Sequence, residues 1–134
     1  MIVVDESVDN VLVLKAIADW YPGRVVSIRA LRPATLIHDE VIPTLLHQAP
    51  QSTFVTINVD DFWKKTPPNQ RYCIVALELN QGQASRLPLL LRRVFQHPEF
   101  QTKALRMGKV IYVTPSYIDY YEVDRKIRRL PQSY

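Results

Sequence analysis

The chain has 134 residues, 47% of them hydrophobic and 22% charged, which suits a single domain with a real core. Three glycines leave no room for a glycine-rich phosphate loop, and one cysteine excludes both an internal disulfide and a cysteine-rich zinc site. The net charge of +4 permits an acidic partner.

The opening "IVV" (2–4) is a short, wholly apolar run that stops at Asp5, as expected of a strand covered on both faces. Apolar residues then recur at near-helical spacing, predicting a helix from Ser7 to Trp20 that ends at "YPG". "RVVSI" (24–28) reads as a second strand and "RALRPATL" as a loop. In "IHDEVIPTLLHQAP", a second helix, Pro43 fits the first turn and puts Asp39 or Glu40 at the helix start. "STFVTI" (52–57) and "YCIVALEL" (72–79) are the third and fourth strands, joined by a short helical turn and a proline-stiffened loop. Cys73, inside the fourth strand, reads as a buried, inert thiol.

"QASRLPLLLRRVFQHPEF" (83–100) is the third main helix, with Arg86, Arg92 and Arg93 toward solvent. "GKVIYVTPSYIDYYEVD" gives a strand, a Pro-Ser turn and another strand. Residues 1–124 form the domain, and 125–134 are a basic tail expected to project or fray. No segment approaches the roughly 20 apolar residues of a membrane span, and "MIVVDESVDN" lacks the basic start of a secretory signal. The expectation is a cytoplasmic protein without membrane contact.

Strands alternating with helices predict an α/β fold, with helices on both faces of a mainly parallel sheet of four to six strands. Such sheets bind ligands beyond the carboxyl ends of their strands. Asp5 follows strand one, and Asn58, Asp60 and Asp61 follow strand three. If those strands are parallel neighbours the acids converge, and the second helix brings Asp39 and Glu40 to the same place. Clustered carboxylates repel unless a cation sits among them. Hard oxygen ligands suit Mg²⁺ or Mn²⁺, which pair with phosphate oxygens and activate water for phosphodiester cleavage. Each acid taken alone also reads as an ordinary helix or turn cap.

"IVVDES", "VVSIRAL", "HDEVI" and "FVTINVDDFW" together resemble the compact PIN-like nucleases over roughly residues 2–123. In that family a strand ends in Asp-Glu, a helix opens with Asp-Glu, and Thr-x-Asp-x-Asp-Phe ends the third strand. The resemblance implies a PIN-like three-layer α/β/α sandwich, cleavage of RNA dependent on Mg²⁺ or Mn²⁺, and a toxin role with a cognate antitoxin. It makes Asp5, Asp39 and Asp60 the catalytic acids and, with Asp61, the metal ligands. The chain departs from the pattern at one point. Aligned from Thr56, the first aspartate falls on Asn58; aligned from Phe62, it falls on Val59. The alternative is therefore a catalytically impaired PIN-like module that binds RNA or a protein.

Arg29, Arg32 and Lys64, with Lys65 and the arginines of the tail, are placed to receive phosphate, with Asn58 beside them at the substrate. Phe62, Trp63 and Tyr72 read as core packing before base stacking, and the tyrosine-rich C-terminal half as a surface for self-association. A phosphoreceiver domain shares the early acids, but it requires Ser or Thr ending strand four and Lys ending strand five. Strand four ends "LELN" here, and Lys109 precedes its strand.

Overall fold

In a computed structural model, residues 1–8, 10–31, 41–49 and 51–131 are described. Seven strands form one sheet in the order β2-β1-β3-β4-β5-β6-β7. These are β1 (Ile2–Val4), β2 (Val25–Ser27), β3 (Ser52–Thr56), β4 (Tyr72–Leu77), β5 (Val110–Val113), β6 (Tyr117–Tyr121) and β7 (Arg128–Pro131). The first five run parallel, and β6 and β7 are antiparallel additions. The sheet exceeds the expected four to six strands. Its extra member comes from the basic tail, which pairs with β6 instead of fraying.

The central strands are apolar throughout because both faces are covered. Side chains alternate across a strand, so Ile2 and Val4 join one core with Val55, Val75 and Ile111, while Val3, Phe54, Ile74 and Val110 join the other. The first core packs against α1 (Val11–Ala18) and α4 (Leu87–Gln96), the second against α2 (Ile42–Gln48) and α3 (Val59–Phe62). The layers are helix, sheet, helix. A last short helix, α5 (Lys103–Arg106), leads into β5. There Gly108 has φ +87°, a left-handed conformation that strains any other residue and so favours glycine at that turn.

Two helices start later than the periodicity suggested, for local reasons. The Asn10 side chain accepts from the Val13 N–H at 2.9 Å and caps α1, leaving Glu6–Val8 as a separate 3-10 turn. Residues Gln81–Arg86 are likewise 3-10, and α4 proper begins at Leu87, with Pro88 in its first turn where no N–H is needed. Pro43 sits in the first turn of α2 as expected, whereas Arg32, Asp39 and Glu40 lie outside the described residues. Among the described residues no helix is long and apolar enough to cross a membrane.

Candidate active site at the sheet reversal

The chain leaves β1 toward β2 on one side and returns to β3 on the other, so the strand order reverses between β1 and β3. Crevices open at such points, outside the carboxyl ends of the strands. Parallel pairing in the register Val4↔Val55 carries the end of β1 to the end of β3. Asp5 and Thr56 therefore meet.

Asp5 is 5% exposed, a carboxylate buried where an apolar strand ends. Its Oδ1 accepts from the Glu6 N–H at 2.8 Å; its Oδ2 accepts from Ser7 Oγ at 2.8 Å and Thr56 Oγ1 at 2.7 Å. Three donors hold the carboxylate in one orientation and offset the cost of burying it. Thr56 Oγ1 also accepts from the Asn58 N–H at 2.9 Å, so the hydroxyl ties Asp5 to the loop after β3. Gln81 closes the third side, its Nε2 donating to the Ser7 carbonyl at 2.7 Å.

The other predicted residues divide. Asp60 and Asp61 occupy the first turn of α3, both exposed, and Asn58 precedes them without a side-chain cap bond. Asn58 Nδ2 instead donates to Asp61 Oδ2, which binds Asp61 to the loop. Asp60 lines an open cavity of about 460 Å³ shared with Asn58, Glu78 and Tyr112. Arg29 is exposed and stands 3.5 Å from Glu6 Oε1, which keeps a cation beside the Asp5 turn. Lys64 is exposed just past α3, with φ +63°. Among the described residues no three of His, Cys, Asp and Glu are grouped to share a metal ion; Asp39 and Glu40 lie outside them.

The aromatic residues go to the core, as their sequence setting suggested. Phe62 is buried with its ring 5.2 Å from Phe54, and Trp63 packs at 5.3 Å from Tyr112 and 5.2 Å from Tyr121. The Cys73 thiol is fully buried and pushed up to about 12 by desolvation, which makes it unreactive. Five participants escaped the sequence reading: Ser7, Thr56 (used only to align a motif), Glu78, Gln81 and Tyr112. A usable signal existed for Thr56 and Glu78, each a polar residue at the carboxyl end of an apolar strand. The chain matches no protein family, no curated protein and no solved structure.

Proposed function

We propose that the chain is a PIN-like, divalent-metal-dependent ribonuclease, with the reversal between β1 and β3 as its active site. The observation supporting this reading is the buried Asp5 carboxylate, held by hydroxyls from two segments where the sheet opens. The donor set fits a hard cation. A carboxylate offers about four lone-pair directions, and three described hydrogen bonds leave one on Oδ1. Asp5, Asp39 and Asp60 would hold Mg²⁺ or Mn²⁺, with Asn58 or Asp61 completing the shell through water. When bound, the ion orients and activates water and stabilises charge developing on the phosphodiester. Ser7 and Thr56 fix the Asp5 rotamer, and Arg29, Arg32 and Lys64 receive the backbone phosphate. The net charge of +4 favours an acidic antitoxin as partner, a pairing that an adjacent small reading frame would support.

A second reading, a PIN-like module that binds RNA or a protein without cutting, draws on Asn58. Its amide replaces a carboxylate of the resembled family and binds Asp61 as well. Purified protein with single-stranded RNA and Mn²⁺ separates the two. Cleavage by the wild type that falls roughly a hundredfold or more in Asp5→Asn supports the nuclease. No cleavage by the wild type, with a gain in Asn58→Asp, favours the module. Equal Mn²⁺ binding by wild type and Asp5→Asn in titration calorimetry overturns the metal assignment.

A further inference from the structure

We propose that the cavity beyond β3, β4 and β5 is a nucleobase subsite selective for guanine, resting on the ribonuclease reading for its setting beside a scissile phosphate. Its volume, about 460 Å³, lies within the ordinary range for small-ligand pockets. Ile57 and Leu79 supply apolar lining, and Tyr112 supplies an aromatic ring packed 5.3 Å from Trp63. RNA bases that leave the helical stack are held in this manner, against aromatic rings and by hydrogen bonds to their edges.

Charge decides which part of a nucleotide fits. Among the described residues the lining has neither Lys nor Arg, and beyond Asp60, assigned above to the metal, its remaining carboxylate is Glu78. A phosphate would be repelled, whereas a base edge rich in N–H groups is attracted. Glu78 is exposed on the last turn of chain out of β4, and its Oε1 accepts from the Tyr112 hydroxyl at 2.8 Å. That bond orients the carboxylate and leaves it further accepting capacity. Gln83 accepts from the Asn80 N–H at 3.1 Å, which fixes the amide wall of the cavity. Guanine presents two adjacent donors, N1–H and the 2-amino group, that match the two oxygens of a carboxylate. Adenine and cytosine place a ring acceptor beside their amino group, and uracil flanks its one N–H with carbonyls. Each of those would turn a lone pair toward Glu78.

Nucleosides without phosphate are the probe, read by amide chemical shifts of Glu78, Asn80 and Tyr112 in the full chain. Guanosine should shift them and bind roughly 10- to 100-fold more tightly than adenosine, cytidine or uridine. Inosine, which lacks the 2-amino group, should fall between. Glu78→Gln should abolish the preference, and Tyr112→Phe, which removes only the orienting hydroxyl, should weaken it. Equal binding of all nucleosides, or an unchanged preference in both variants, overturns the assignment. So does tighter binding of arginine amide than of guanosine, which would mark the cavity as a receptor for a partner protein's arginine. Guanosine selectivity in a protein that cuts no RNA would leave the subsite standing without the nuclease. RNA cut at the same positions by wild type and Glu78→Gln would leave the nuclease standing without the subsite.

Discussion

Asp5 shows how a single residue is fixed by partners distant in sequence. A buried carboxylate with three donors is stable where it stands, and Thr56 carries the largest share of that arrangement because its hydroxyl serves two neighbours. Replacing it with the nearly isosteric valine removes one donor from the buried Asp5 carboxylate and the Thr56 acceptor from the half-buried Asn58 N–H. Unsatisfied buried groups cost about 1–3 kcal/mol each, so Thr56→Val should lower unfolding stability by roughly 2 kcal/mol or more in urea, while Thr56→Ser should recover most of it. Equal stability of the valine variant would show that the network does not hold the loop. The sequence made Asp5 legible, since an acid directly after "IVV" is conspicuous. It did not reveal Ser7 and Thr56 as its partners, because their meeting depends on the register of β1 against β3. The same limit hid the bond between Glu78 and Tyr112, 34 residues apart.

At the scale of elements, β1 to β5 were readable because short runs rich in apolar and β-branched residues fit a covered strand better than any amphipathic helix, and β6 because the tyrosines of "YIDYY" alternate at strand spacing. The strand β7 was not. "RRLP" carries two arginines and a proline, the composition by which edge strands resist pairing with other chains. Those same residues read as a solvated tail when nothing indicates a neighbour. The neighbour is Asp119, 6% exposed, directly opposite Arg129 in the β6 and β7 register. Arg129 donates through Nε at 2.8 Å and Nη2 at 3.0 Å to the two carboxylate oxygens, and its guanidinium lies 3.7 Å from the Tyr117 ring centre. Asp119 is buried but the Arg129 side chain is 62% exposed, so solvent screens the pair, and its two-pronged geometry is what sets it apart from an ordinary surface pair. In Arg129→Ala, amide hydrogens of β7 should exchange on the order of tenfold faster, with the parallel strands unaffected. Unchanged β7 protection would assign the strand's stability to its backbone ladder alone.

The whole molecule is a parallel sheet with an antiparallel flank, and the tyrosines tie the two parts together. The sequence established the alternation of strands and helices, and hence both covered faces; the sheet's full width appeared only with β7 in place. Tyr121, at 2% exposure on β6, donates its hydroxyl proton to the Thr66 carbonyl at 2.7 Å, linking the flank to the loop that follows α3. Burial raises this phenol from its ordinary 10.0 to about 12, and Tyr112 is raised to about 12 by burial first and then by its bond to Glu78. The unfolded chain loses these protons near pH 10, while the folded chain keeps them until about pH 12. Their contribution to stability is therefore whole below pH 10 and declines as pH rises from 10 to 12. Thermal unfolding followed across that range should show a falling midpoint, and the tyrosinate absorbance that disappears in Tyr121→Phe should arise only as the fold is lost. Tyr121→Phe should flatten part of this alkaline decline while costing about 1 kcal/mol at neutral pH for the missing Thr66 contact. If the tyrosines instead ionise near pH 10 in a protein that stays folded, the hydroxyls are open to water and the link between flank and loop is not formed.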